Sequence, residues 1–188
     1  FDAMVGFFRQ SLDIGTLEGQ VTILLAPSDS QGATFEIGDL TISSVRDDDG
    51  DLLYEAHDGL LDVGVPTSAQ PSTVIVDYTF KAHDAFDGWM PSMGVSFLWP
   101  YFCGNLFPCK SDPADGMSFA LTVTGVPAGL SAVVPPPVVS AAPSYMPALA
   151  VGEYTEKELG TTPQGTEVSV FYLPEGEADA LAGTAHLV

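Results

Sequence analysis

Apolar and polar residues alternate with period two along most of the chain, which predicts half-buried antiparallel β-strands. Val21, Ile23 and Leu25 share one face of a strand, with Gln20, Thr22 and Leu24 on the other. Val74, Val76, Tyr78 and Phe80 line a second strand against Thr73, Ile75, Asp77 and Thr79. Met117, Phe119, Leu121 and Val123 line a third, and Leu61, Val63 and Val65 a shorter fourth. Near the end, Val168, Val170 and Tyr172 alternate with Glu167, Ser169 and Phe171. Turn residues separate these runs. Asp49-Gly50 lies between the run ending at Val45 and the one starting at Leu52, as in a hairpin. Asp58-Gly59 starts the next connection, and Pro27 to Gly32 is a further break. Pro135, Pro136 and Pro137 form a stiff extended spacer expected to join two strands. Only 175–187, rich in Ala, Glu and Leu, reads as helix. The fold class expected is all-β, an antiparallel β-sandwich with a short C-terminal helical lead-in.

Composition narrows the function classes. With 188 residues the chain is long enough to bury a core without staples. Its 25 acidic residues face only 5 Lys and Arg, a formal charge of −20. Phosphate backbones and anionic lipid surfaces attract basic proteins, so nucleic acid and membrane-surface partners are not expected. No apolar run approaches the roughly 18 residues of a membrane helix. The chain starts at Phe1 rather than Met, as expected of a processed or trimmed polypeptide. Cys103 and Cys109 are the two cysteines. Their spacing is compatible with a disulfide, which would place the protein in an exported, periplasmic or extracellular setting, and equally with two buried thiols.

The chemistry is sparse. His57, His83 and His186 stand apart, with no His-x-x-x-His pair, and no G-x-S-x-G elbow occurs. The run Asp47, Asp48, Asp49 and Asp51 lacks EF-hand spacing, because a loop with Gly50 sixth places Val45 first and Ala56 twelfth. Asp-Gly turn chemistry accounts for it.

Three ordered segments carry a resemblance. They are LEGQVTILLAP with LTISSVRDDDGDLLYEAHDGLLDVGVP, then NLFPCKSDPADGMSFALTVTGVPAGLSAV, then SYMPALAVGEY. Together they resemble the N-terminal domain of the aminopeptidase N and leukotriene hydrolase family of zinc metallopeptidases, the gluzincins. Phe107, Pro108, Cys109 and Pro113 match its F-P-C-x-D-E-P pattern, and Phe119, Val123 and Pro127 continue it. Tyr145, Ala148, Val151, Gly152 and Tyr154 match its T-Y-L-x-A-x-x-V-G-x-F. The resemblance covers roughly residues 8–188 and implies a saddle-shaped sandwich packed beside a catalytic domain. Residues 1–174 would be the β-domain and 175–188 the start of the connection.

The family's H-E-x-x-H zinc motif is not in this sequence. The resemblance therefore implies a non-catalytic chain with no cofactor of its own. Zinc would belong to the downstream catalytic domain of the same polypeptide, which is the implied partner, and a peptide would be the parent's substrate. The family also carries a Gln-x-Glu-Pro segment shortly before F-P-C, whose polar side chains help hold the substrate's free amine. The matching positions here are Phe97, Trp99 and Pro100. The proline is kept and the polar anchors have become aromatic, leaving a weaker cation–π contact in place of a charge-assisted hydrogen bond. The bland reading of Phe97, Leu98 and Trp99 is core packing. A second functional reading is a free-standing β-sandwich module for a polysaccharide or envelope partner, with Trp89, Trp99 and Tyr101 as its platform.

Overall fold

A computed structural model describes residues 5–99, 101–112 and 115–184. Pro100, Pro113 and His186, singled out in the sequence, lie outside the described residues. In chain order the strands are β1 (Val5–Asp13), β2 (Glu18–Leu25), β3 (Gly32–Glu36), β4 (Thr41–Arg46), β5 (Tyr54–His57), β6 (Leu60–Gly64), β7 (Ser72–Thr79), β8 (Trp89–Met90) and β9 (Val95–Ser96). They continue as β10 (Met117–Thr124), β11 (Ser131–Val133), β12 (Val138–Ala142), β13 (Ala150–Gly152), β14 (Thr155–Thr161) and β15 (Glu167–Tyr172), before helix α1 (Glu177–Thr184). The protein is all-β, and the described strands lie in four sheets.

The largest sheet has the order β12-β10-β1-β2-β7-β4. Its inner face follows the alternation in the sequence: Phe8, Leu12, Val21, Ile23, Val74, Val76, Tyr78 and Phe119 are all buried. A three-stranded sheet, β3-β6-β5, supplies the opposing layer through Ala33, Phe35, Leu61 and Val63, which belong to the same core. Phe8 and Phe35 meet edge to face across the two layers, with ring centroids 6.4 Å apart. Short strands β11-β13-β9-β8 make a third sheet, and β14 and β15 form a separate hairpin.

Two expectations need correction. The large sheet is mixed, because β1 runs parallel to β10, with Phe8 beside Phe119 and Leu12 beside Val123. Asp49-Gly50 does turn the chain: Asp47 N–H donates to the Gly50 carbonyl, and the Asp47 carboxylate accepts from the amides of Asp49 and Gly50. Beyond a single bridge from Arg46 to Asp51, however, the flanking strands part company. β4 belongs to the large sheet and β5 to the opposing one, so this turn hands the chain between layers. The tight hairpin is at Asp58-Gly59, where both residues take positive φ (47° and 77°) and His57 pairs with Leu60. That is the type I′ pattern whose twist matches paired strands. The three prolines at 135–137 do join two strands, β11 and β12.

Candidate functional site: an exposed aromatic segment on a pinned loop

The aromatic segment leaves the third sheet at the end of β9. Phe97 N–H donates to the Gly88 carbonyl (2.8 Å) and Phe102 N–H to that of Leu98 (2.9 Å). Ser96 holds Leu149 at two points, its N–H donating to the Leu149 carbonyl and its Oγ accepting from the Leu149 amide, both at 2.9 Å. These bonds fix the direction in which successive side chains point. Leu98 is buried, whereas Trp99 is 58% exposed and Tyr101 67% exposed. Phe97 is also on the surface, stacked edge-on against exposed Phe86 at 5.6 Å. Of the three residues that core packing would have taken, only Leu98 is core. Trp89 is 4% exposed and packs in the core, so it is no part of a surface platform, while Trp99 and Tyr101 remain available.

The floor beneath this segment is stiff. Cys103 and Cys109 are joined in a disulfide, with Cα atoms 6.1 Å apart. The closed loop is tied to β3: Glu36 and Cys109 exchange backbone hydrogen bonds of 2.7 and 3.0 Å, and the Glu36 carboxylate accepts from Ser111 Oγ at 2.6 Å. Asn105 Nδ2 donates to the Asp87 carbonyl at 2.6 Å, linking the same loop to the segment that carries Phe86. Both cysteines are taken up in this bond, so the unreduced, denatured protein is expected to show no titratable thiol. Cys103→Ala/Cys109→Ala should lose only about 2 kcal/mol in urea denaturation, because so short a loop restricts the unfolded chain little.

His83 was legible only as a lone histidine. In the structure its Nδ1 lies 3.0 Å from Asp87, and its Nε2 faces Asp39 at 3.6 Å, with Lys81 on the other oxygen of Asp39 at 3.1 Å. The four-residue spacing of His83 and Asp87 was the available signal. The group braces the 81–88 segment, which carries Phe86.

His57 is likewise paired. Its Nε2 lies 2.8 Å from Asp62, whose other oxygen accepts from Thr34 Oγ1 at 2.6 Å. The Asp62 hydrogen bond, helped by the charges of Asp62, Glu55 and Asp58, raises the His57 pKa above its ordinary 6.5. The bonds from Thr34 and His57 lower that of Asp62 below 3.8. The raised histidine stabilises the fold fully below pH 6.5, and its contribution is lost as pH rises through the folded pKa. The lowered carboxylate contributes above pH 3.8 and loses its contribution as pH falls through its folded pKa. NMR titration should therefore place the His57 midpoint above 6.5, and Asp62→Asn should bring it back toward 6.5. An unmoved midpoint would remove the pairing.

On the outer face of the large sheet, Asp77 accepts from Gln20 Nε2 and Ser44 Oγ, each at 2.7 Å, and pairs with Arg46. Partial burial pushes its pKa up, but these three hydrogen bonds and the guanidinium charge outweigh it and hold the carboxyl low. A shallow groove of about 430 Å³ lies over this network, beside Asp13, Glu18 and Thr79. With the acceptors of Asp77 already committed, it reads as a structural brace between β2, β7 and β4.

Among the described residues no three His, Cys, Asp or Glu side chains gather as metal ligands. Among the same residues no helix is long and apolar enough to cross a membrane. The aromatic segment offers apolar contact and cation–π attraction.

No family model matches the chain, and no curated protein matches it in sequence. Solved structures do match in fold. The M1 zinc metallopeptidase from Deinococcus radiodurans superposes with a TM-score of 0.77 at 17% identity, over 94% of this chain and 51% of its own. Legionella pneumophila aminopeptidase A, solved with aspartic acid, gives 0.76 at 18% identity, over 95% of this chain and 25% of its own. Yeast LTA4 hydrolase, solved with Bestatin, gives 0.74 at 14% identity, over 98% and 33%. This chain thus spans about half the length of the first and a quarter to a third of the others. Its fold is that of one part of the M1 zinc metallopeptidases, the same family that its sequence segments resemble.

Proposed function

We propose that this chain is the non-catalytic N-terminal β-domain of a zinc aminopeptidase-like protein, and that it supports and partly covers the active-site cleft of a catalytic domain beyond it. Residues 1–174 form that domain and 175–188 begin the connection. Zinc and the peptide substrate belong to the catalytic domain. The supporting observation is the fold likeness over 94% of this chain to only half of an M1 zinc metallopeptidase. Phe97, Trp99 and Pro100 sit on the rim of the cleft in this reading. The surface position of Phe97 and Trp99 on a braced loop supports it. The disulfide fits an oxidising, exported setting.

The 188-residue chain should then bind no zinc stoichiometrically and cleave no aminoacyl chromogenic substrate, while the longer protein does both. Tight one-to-one zinc binding by the chain alone would sink the proposal. Trp99→Glu tests the rim. The isolated chain should remain folded and soluble, because the side chain is already largely in water. In the longer protein the new carboxylate should tighten binding of free amino termini by about 1.5–3 kcal/mol through a charge-assisted hydrogen bond. Unchanged affinity would move Trp99 away from the cleft.

A further inference from the structure

The core between the two layers holds polar atoms that no protein group satisfies. Gln10, on β1 between Phe8 and Leu12, is fully buried, and neither its Oε1 nor its Nε2 has a hydrogen-bond partner. Tyr78, on β7, is 2% exposed, and its Oη is likewise buried without one. Unpaired polar groups are costly in an apolar core, and native cores rarely keep them. The register brings these two residues together. Gln10 pairs with Val21 and Leu12 with Gly19 across β1 and β2, and Gly19 pairs with Tyr78 across β2 and β7. Gly19 leaves the inner face open, and the end of the Tyr78 ring lies over it: a Cβ on Gly19 would sit 2.6 Å from Tyr78 Oη. The hydroxyl therefore stands above the strand next to β1. Gln10 is the diagonal neighbour of Gly19 on β1, a separation that long side chains span. The glycine of the L-E-G sequence thus lets a phenol reach across β2 toward a buried amide. Burial pushes the Tyr78 pKa up, so the phenol stays protonated and offers a donor as well as an acceptor.

We propose that Gln10 and Tyr78 form an internal water site, in which water bonds to the Gln10 amide and to the Tyr78 hydroxyl and Gly19 supplies the space. Water is the occupant that fits the chemistry. The amide brings donors and an acceptor, the phenol one of each, and neither carries a charge. Such a seat suits a small neutral molecule with two donors and two acceptors, and it gives an ion no opposite charge. The amide and the phenol do not bond to each other, since each is unpaired. The flanking side chains in register, Val21 and Leu121 beside Gln10 and Val76 beside Val21, are apolar and offer no competing partner. The site links β1 to β7 across β2, so a slip of β1 along β2 would orphan both groups.

Water–protein cross-relaxation NMR and a double-mutant cycle, both on the 188-residue chain, test this. The Gln10 side-chain amide protons should show long-lived contacts to water, and Tyr78→Phe should abolish them. In urea denaturation, Gln10→Leu and Tyr78→Phe should each leave the other polar group behind, whereas the double variant removes both. The product of the two single-variant unfolding constants should therefore exceed the product of the wild-type and double-variant constants by roughly 10-fold. A ratio within about 2-fold of one would overturn the proposal, because independent sites add. Water contacts at Gln10 that persist unchanged in Tyr78→Phe would also overturn it, since the water would then belong to Gln10 alone. A large ratio without water contacts would replace the water site with a direct bond between amide and phenol. Absence of any water contact at Gln10 in the unsubstituted chain overturns the proposal even if a variant fails to fold.

Discussion

Phe35→Ala is expected to destabilise the domain by about 3–5 kcal/mol, the range for emptying a buried aromatic site. Phe35 is almost fully buried, lies on β3 in the smaller layer, and meets Phe8 on β1 across the core. Truncation removes the ring's transfer energy and leaves a cavity between two sheets whose backbones are held by their own ladders and close poorly. The neighbouring residue, Glu36, carries the bonds that tie the disulfide loop to β3, so the damage should spread toward the aromatic segment. For a chain of this size the loss corresponds to a fall of roughly 6–20 °C in melting midpoint. Urea denaturation of the single and double Phe8 and Phe35 variants should show a coupling of about 0.5–1.5 kcal/mol for the edge-to-face pair. A loss below about 1 kcal/mol for Phe35→Ala would mean that the two layers do not pack through this residue.

Gly94→Ala should be nearly as costly, about 2–4 kcal/mol, from backbone strain and overpacking together. Gly94 sits in the turn between β8 and β9 at φ +65°, and an added Cβ would lie 2.2 Å from the Val151 carbonyl oxygen. That obstacle is backbone, so no rotamer change relieves it. The same glycine's carbonyl accepts from the Val151 amide at 2.6 Å, so pushing the strands apart also breaks a hydrogen bond. β9 pairs with β13 at Val95 and Ala150, next to the clash, and the segment bearing Phe97 and Trp99 follows directly. Trp99 emission should shift along with the stability loss. Gly183→Ala, in helix α1 with nothing within 4 Å, is the control and should stabilise slightly. Equal behaviour of the two variants would refute the close approach of the turn to β13.

Much of the architecture was readable along the chain because strand patterning is local. A residue two positions on points to the same side whatever the partner strand is, so Val21, Ile23 and Leu25, or Val74, Val76 and Tyr78, declare their inner face without outside information. β1 escaped because Gln10, fully buried, breaks its apolar row between Phe8 and Leu12. The exposed aromatic segment was legible as a position, through the family resemblance. Its orientation was not, since Trp89 and Trp99 differ in burial by their backbone hydrogen bonds and not by their residue type. The approach of His83 to Asp39 depended on a chain path that places distant side chains within 4 Å.

By itself the sequence determined an all-β chain, the inward faces of its main strands, the Asp-Gly turns and a strongly acidic charge balance. Each follows from residue chemistry acting over a few neighbours. Only the tertiary structure decided that β1 runs parallel to β10, that the turn at Asp49-Gly50 crosses between layers, and that Cys103 and Cys109 are bonded. Those outcomes rest on which distant segments meet, and that choice is made by the competition of all strands for one shared core.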